Sequence, residues 1–317
     1  MAALSGDLLI LGAGGKMGPT LALRARRALS AAGSSSRVIA VARFTNDLIA
    51  RQLEEAGIEV TRADLLEPGA LEGLPESPSV IFMAAMKFGT TGAEYLTWAM
   101  NTFLPGLVAG RYQRSRIVAF STGNVYPLVP VQSGGATEET PVAPVGEYAQ
   151  SALGRERMFE YGSCKYGTRI AILRLNYAVE TRYGVLVDIA RKVFAREPVS
   201  VAMGYVNVIW QGDANSVCLQ SISRCSSPPF VLNLTGTETL AVRGIAEEFG
   251  KRLGIEPVIR GQETDTALLS SSSRMVKEFG VPSVTTSQMM DWIADWIESG
   301  GACLGKPTHF ETRDGRF

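Results

Sequence analysis

The stretch Leu8-Leu-Ile-Leu-Gly12-Ala-Gly-Gly15-Lys-Met-Gly18 decides the fold, because a glycine-rich turn follows directly after an apolar run. The run predicts a buried strand, and the amphipathic segment from Thr20 to Ala32 predicts a helix after the turn. At the positive end of such a helix a pyrophosphate can approach the bare backbone of Gly12 and Gly15, where a Cβ would block it. Gly18 would let the helix pack closely on its strand. The stretch therefore predicts a dinucleotide-binding turn.

The composition favours a soluble protein of enzyme size with a small-molecule ligand. The chain has 317 residues, 46% of them hydrophobic, and its 31 basic side chains balance 31 acidic ones. This balance argues against a nucleic-acid partner or an anionic membrane surface, and no apolar run reaches the roughly 18 residues of a membrane span. The four cysteines form no C-x-x-C pair and His309 is the single histidine, so we expect no metal site. We expect reduced thiols in a cytoplasmic protein, because a dinucleotide domain that begins at residue 7 leaves no room for a signal peptide.

Apolar, β-branched runs alternate with helix-like stretches through the first half of the chain. This alternation predicts an α/β fold with a Rossmann-type, doubly wound parallel sheet. Residues 1–176 would form the dinucleotide-binding domain, with residues 206–235 returning to it through a strand at Phe230–Leu234. Residues 177–205 and 236–317 would form a smaller, mostly C-terminal substrate-binding lobe and a tail. The predicted strands are Leu8–Leu11, Val38–Val41, Glu59–Thr61, Val80–Ala84, Ile117–Phe120 and Ile170–Leu173.

The carboxyl ends of parallel strands meet at one edge of a sheet, so ligand contacts are expected there. Gly12, Arg43, Asp64, Ala84 and Ser121 all follow predicted strands and would meet in one crevice.

Two C-terminal features carry weaker expectations. Trp292 and Trp296 lie four residues apart beside isoleucines, which indicates core packing. The tail from Gly300, with His309, is predicted to be loosely held, and this disfavours His309 as a catalytic base.

Several short motifs together carry a family resemblance. They resemble the extended short-chain dehydrogenase/reductase family, the NAD-dependent epimerase/dehydratase group, over nearly the whole chain. The resemblance implies a first domain that binds NAD or NADP, a second that holds the substrate, often a nucleotide sugar, and a homodimer formed through two helices per subunit. The motifs are Gly12-x-x-Gly15-x-x-Gly18, Asp64-Leu65, Ala84-Ala85, Asn101, Ser121-Thr122-x-x-Val125-Tyr126, Tyr148-x-x-Ser151 and Arg174-x-Asn176.

The resemblance also implies a catalytic centre, with one departure. The family's tyrosine falls on Tyr148 as acid/base, and its Ser/Thr falls on Thr122, beside Ser121. The family's lysine, four residues after the tyrosine, falls on Ala152. A tyrosine has a pKa of about 10, so lowering it toward neutrality takes roughly 3 to 4 kcal/mol, which a nearby cation could supply.

Two cations could replace the missing lysine. Arg155 would lie on the same helical face as Tyr148. Lys87 follows Ala84-Ala85 and is, by family resemblance, first a contact of the cofactor phosphates. A further departure, Gly123-Asn124, stands where the family's dehydratases carry Asp-Glu, so dehydration is disfavoured.

The cofactor is predicted to be NADP rather than NAD. No carboxylate closes the second strand to accept a ribose 2′-hydroxyl, whereas Arg43 could pair with a 2′-phosphate and Lys16 could add charge. The alternative is that Arg43 stacks on adenine with either cofactor. The predicted cofactor contacts are Gly12, Gly14, Gly15, Lys16, Met17, Gly18, Arg43, Asp64, Leu65, Ala84, Ala85, Lys87, Asn101 and Tyr148.

Two functions follow from the sequence. The first is an NAD(P)-dependent oxidoreductase or epimerase that acts by hydride transfer on a hydroxylated substrate, possibly a sugar or nucleotide sugar. The second is a cofactor-binding sensor or scaffold that lost turnover with the lysine. Ala152 favours the second, and the persistence of Tyr148 and Thr122 favours the first.

Overall fold

The computed structural model of the chain describes residue 4 and residues 6–87 and 92–315. Strands and helices alternate through the first half of the chain. The strands are β1 (Leu8–Leu11), β2 (Val38–Ala42), β3 (Glu59–Arg62), β4 (Ser79–Phe82), β5 (Arg116–Thr122), β6 (Val129–Pro130), β7 (Arg169–Leu175), β8 (Ala178–Val179), β9 (Val199–Ser200), β10 (Tyr205–Val206), β11 (Ile209–Trp210), β12 (Phe230–Leu234), β13 (Leu240–Ala241), β14 (Ile259–Arg260) and β15 (Thr266–Ala267). The helices are α1 (Gly18–Ala31), α2 (Asp47–Glu55), α3 (Glu94–Trp98), α4 (Leu104–Arg111), α5 (Gly146–Tyr166), α6 (Val185–Phe194), α7 (Gln211–Ser221), α8 (Val242–Leu253), α9 (Ser273–Phe279) and α10 (Thr286–Glu298), and a π-helical segment, Ala99–Phe103, joins α3 to α4.

The central sheet confirms the predicted fold class. Within the described residues, seven parallel strands lie in the order β12-β7-β5-β4-β1-β2-β3. The first strand, β1, pairs with β2 on one side and with β4 on the other, so the chain reverses its direction of winding next to the glycine turn. Ligands of doubly wound sheets bind at this switch point, which places the predicted crevice at the carboxyl ends of β1 and β4.

The inner strands β1, β2 and β4 are buried on both faces, as parallel strands covered by helices are, whereas the edge strand β3 is partly exposed. Successive residues of β1 alternate between two cores: Leu8 and Ile10 pack on one face, and Leu9 and Leu11 on the other. A third core lies among α6, α8 and α10 and includes Phe249 and Ile293. It is built mostly from the C-terminal part of the chain. The division into domains at Asn176 stays a prediction.

The structure corrects the expectation for the tryptophans. Trp292 is 40% exposed, and its ring meets that of Trp210 edge to face with centroids 5.1 Å apart. Trp296 is half-buried and donates its indole N–H to the Ala302 carbonyl. The neighbouring isoleucines carry the core packing instead, because a helix with a narrow apolar stripe buries only one side.

The tail is not loosely held, which is a second correction. Thr308 donates from its backbone N–H and its hydroxyl to the Asp188 carboxylate at 2.7 and 2.6 Å, and Phe310 is buried in the third core. Glu311 pairs with Lys192 at 2.6 Å. Buried aromatic and ionic anchors, which composition does not reveal, fix this segment across the mouth of the crevice.

No helix in the described part of the chain combines the length and the apolar character that crossing a membrane requires. All four cysteines are free thiols.

Candidate active site

The glycine turn has the tight geometry that its spacing predicts. Gly12 has φ +91°, and a Cβ there would lie 2.4 Å from the backbone nitrogen of Ala84. A Cβ at Gly18 would lie 2.2 Å from the carbonyl oxygen of Ala13. Met17 is buried at the N-terminus of α1. Close backbone contacts therefore require glycine at both positions. The N-terminus of α1 lies next to the turn.

A cleft of about 330 Å³ lies over this turn. Arg43, at the end of β2, lies 3.8 Å from the Asp64 carboxylate in this cleft. Phe44 holds a left-handed backbone conformation at φ +46°, and its carbonyl accepts a hydrogen bond from Arg62, so the segment after β2 is fixed. The predicted cofactor contacts that line this cleft are Gly12, Gly14, Gly15, Arg43, Asp64, Leu65, Ala84 and Ala85.

A smaller pocket of about 140 Å³ contains the predicted catalytic hydroxyls. Tyr148 at the start of α5 and Thr122 at the end of β5 share a side-chain hydrogen bond there. The Thr122 hydroxyl also accepts the backbone N–H of Asn124, so it caps a turn and contacts Tyr148 at once. The remaining lining includes Lys16, Lys87, Asn124, Asn176, Tyr177, Tyr183 and Thr308.

Burial raises the pKa of the Tyr148 phenol above its ordinary value, and two neighbours oppose that rise. The positive charge of Arg155 is the larger opposing effect, followed by the hydrogen bond from Thr122. Ala152, which stands at the family's lysine position, is fully buried in the third core and carries no charge. Arg155 thus acts electrostatically on Tyr148 from the same helix.

A buried amide orients Arg155. The guanidinium donates to the Phe120 carbonyl at 2.7 Å and to Asn101 Oδ1 at 2.8 Å, while its Nε–H finds no hydrogen-bond partner among the described residues. Asn101 lies in the π-helical segment, and its amide group also contacts the backbone of Met86 and the hydroxyl of Ser151. Because Asn101 is fully buried, it supports the crevice wall from behind and holds the residue before Lys87.

Two lysines face the Tyr148 pocket. Lys87 Nζ lies 5.7 Å from the ring centre of Tyr148, and Lys16 Nζ lies 4.0 Å from that of Tyr183. Lys16 also donates to the Ala178 carbonyl at 2.8 Å. Burial lowers the pKa of Lys16 to about 7 and that of Lys87 to about 8, although Glu180 and Asp188 respectively favour their charged forms.

Ser121 lines the same pocket, but a buried network engages its hydroxyl. It donates to Glu156 at 2.6 Å, and Glu156 pairs with Arg174 at 2.7 Å. Arg174 in turn donates to the Tyr126 hydroxyl. This network connects β5, α5 and β7, and the guanidinium of Arg174 is engaged in these contacts. Arg182 pairs with Glu180.

Sequence reasoning missed the contribution of the tail to the site. Thr308 lines the Tyr148 pocket, and its carbonyl lies 3.4 Å from Lys87 Nζ. Lys306 lines the cleft over the glycine turn. No local sequence pattern predicts either contact, because both depend on the burial of Phe310.

Comparison with known proteins identifies the family. The profile of the NAD dependent epimerase/dehydratase family matches residues 8–179, which is more than half of the chain. The chain belongs to this family. Membership confirms the resemblance, and it favours the predicted NAD-dependent enzyme over the sensor or scaffold. None of the curated protein sequences is significantly similar to the chain.

Solved structures share the fold at low identity. UDP-glucuronic acid 4-epimerase from Bacillus cereus, in complex with UDP-glucuronic acid and NAD, has a TM-score of 0.77 and 16% identity over 92% of this chain and 99% of its own. A UDP-galactose 4-epimerase has a TM-score of 0.73 and 19% identity over 93% and 99%. A short-chain dehydrogenase/reductase superfamily protein from Agrobacterium tumefaciens, with bound NAD, has a TM-score of 0.76 and 16% identity over 93% and 98%.

Proposed function

We propose that this chain is an NAD(P)-dependent oxidoreductase or epimerase that acts on a hydroxylated substrate such as a sugar or nucleotide sugar. The observation that carries the proposal is the hydrogen-bonded pair of Tyr148 and Thr122 in a pocket at the carboxyl ends of the strands. A pure sensor has no need of such a proton relay. The UDP-glucuronic acid 4-epimerase that shares the fold was solved with UDP-glucuronic acid and NAD, which supports the same class of reaction.

The crevice fits a nicotinamide dinucleotide. Glycines stand where backbone segments come so close that a side chain would not fit. The turn leads into the start of α1, where backbone N–H groups favour the binding of phosphates. Gly12, Gly14 and Gly15 would hold the pyrophosphate, Asp64 and Leu65 the adenine edge, and Lys87 the phosphates. The nicotinamide supplies hydride exchange when bound. We favour NADP because Arg43 lies in the cleft, whereas the Bacillus cereus epimerase and the Agrobacterium tumefaciens protein were solved with NAD.

The residues of the chain would handle the proton. Tyr148 donates it to, or accepts it from, the reacting oxygen, and Thr122 orients that oxygen through its hydroxyl. Arg155, together with Lys87 beside the Tyr148 ring, replaces the electrostatic effect of the lysine absent at position 152. Ser121 positions α5 through Glu156 instead of contacting the substrate.

Dehydration is disfavoured by the same pocket. Gly123 has no side chain and Asn124 presents an amide, so neither can serve as the acid or base that water elimination requires.

The test is turnover with and without the Tyr148 hydroxyl. We expect purified protein to reduce or epimerise at least one member of a panel of sugars, nucleotide sugars, polyols and small ketones with NADPH or NADP. Tyr148→Phe should lower kcat by about 10²–10⁴ with cofactor affinity preserved, as loss of general acid–base catalysis does. Tyr161→Phe, an exposed tyrosine on the same helix, is the matched control.

Tight cofactor binding without turnover across the panel would favour the sensor or scaffold instead. A Tyr148→Phe variant as active as wild type would remove Tyr148 from the mechanism.

We also expect a cytoplasmic homodimer. Apolar side chains are exposed along α3, the π-helical segment and α4, and on the adjacent α5: Tyr95, Phe103, Leu107 and Tyr161. A contiguous apolar face of this kind is typical of an interface. Two helices per subunit would then pair with their copies.

A further inference from the structure

The C-terminal strap, residues 304–313, is built into the wall of the crevice. Its first residue donates from its backbone N–H to the Arg182 carbonyl at 3.0 Å. Its middle is held by the two bonds from Thr308 to Asp188. Its end is held by Arg313, whose guanidinium donates to the carbonyl and hydroxyl of Thr266 at 2.8 and 2.7 Å. The strap is therefore fixed on both sides of residues 305–307, which line the crevice.

Residues 305–307 border the space in which the adenosine half of a dinucleotide would lie. Lys306 lines the same cleft as Arg43 and the glycines of the turn. It also lines an adjoining cleft of about 670 Å³ with Arg43, Lys87 and His309. The strap thus brings a lysine from the end of the chain to the arginine at the end of β2.

The charges at this end of the cleft favour a phosphate. Arg43 and Lys306 are cationic, and Asp64, 3.8 Å from Arg43, is the carboxylate among the lining residues. Thr45 and Asn46, which also line the cleft, precede α2, and Asn46 caps that helix. A dianionic group here would be attracted by two cations and by a helix N-terminus, and it would be repelled by one carboxylate.

We propose that Lys306 on the C-terminal strap binds the 2′-phosphate of NADP together with Arg43. The inference rests on the proposed dinucleotide-binding function, and it adds a specificity residue from outside the nucleotide-binding domain. Lys16, which the sequence offered as the second cation, lines the Tyr148 pocket instead.

The experiment is a calorimetric titration of wild type, Lys306→Ala and Lys306→Arg with NADP and with NAD. Loss of one charge-assisted contact should raise the Kd for NADP roughly tenfold in Lys306→Ala and the Kd for NAD by less than about twofold. Lys306→Arg should keep most of the NADP affinity because it keeps the charge. Lys277→Ala is the matched control, since Lys277 is exposed on α9, which packs on β12 at the opposite edge of the sheet.

Each other outcome overturns the inference in a distinguishable way. If wild type binds NADP no better than NAD, the NADP preference in the proposed function fails, and the role of Lys306 in binding the 2′-phosphate fails with it. If wild type prefers NADP and Lys306→Ala keeps that preference, the inference alone fails. If the affinities for both cofactors fall equally, Lys306 does not distinguish them.

Discussion

At the scale of single residues, the family resemblance assigns the catalytic tyrosine to Tyr148 and the threonine to Thr122, and it assigns the lysine to a position that holds Ala152. This alanine lies inside an apolar core, and the positive charge of Arg155 acts on Tyr148 from another position. Helical spacing already indicated Arg155 as a replacement, because residues seven apart share a face. Its bonds to Phe120 and Asn101 could not be predicted, since they join β5, α5 and the π-helical segment in space.

The two lysines of the Tyr148 pocket make cofactor binding depend on pH. Burial sets the pKa of Lys16 at about 7 and of Lys87 at about 8, so both lose charge as the pH rises through this interval. Bound phosphates favour the ammonium forms, so binding should take up protons and weaken between roughly pH 6 and pH 9. Calorimetry in two buffers of different ionisation enthalpy measures the uptake.

Replacement of Lys87 by Met should reduce that proton uptake and flatten the pH dependence of the Kd. Equal affinity at both ends of the interval, with no proton uptake in wild type, would contradict the role assigned to these lysines.

At the scale of elements, the glycine turn and the strands around it were largely predictable, because strand burial and turn geometry are local properties. The strap was not. Its apolar anchor, Phe310, is a single residue in a polar tail, and the polar anchors Asp188 and Lys192 lie more than a hundred residues away in the sequence. Long-range contacts of this kind leave no periodic signal, so a tail that forms a wall of the site was predicted to be loose.

The turn itself offers a paired test of close packing. Gly12 and Gly33 both have positive φ, but a Cβ at Gly12 would meet the backbone of Ala84, whereas a Cβ at Gly33 would meet nothing within 4 Å. Gly33→Ala should cost about 1–2 kcal/mol of unfolding free energy from backbone strain. Gly12→Ala should cost the same plus about 1–3 kcal/mol of overpacking, and it should abolish cofactor binding. Urea unfolding and cofactor titration measure both effects, and equal losses in the two variants would contradict the role of the contact with Ala84.

At the scale of the whole molecule, the proposed dimer can be tested at its most exposed phenylalanine. Phe103 is 59% exposed on the π-helical segment, and Phe194 is 46% exposed on α6. Phe103→Glu should give a monomer in light scattering, because a buried unpaired carboxylate opposes association. Phe194→Glu should leave the dimer intact. A wild-type chain that is monomeric at every concentration would rule the dimer out.

We expect one crevice to unite the glycine turn, the strap and the Tyr148 pocket as a nicotinamide-dependent active site. The first measurement is a crystal structure of the protein with NADP. It should place the 2′-phosphate at Arg43 and Lys306, the pyrophosphate at the glycine turn, and the nicotinamide ring in the pocket beside Tyr148 and Thr122. A dinucleotide whose nicotinamide ring points away from that pocket, with Tyr148 buried and out of its reach, would contradict the account.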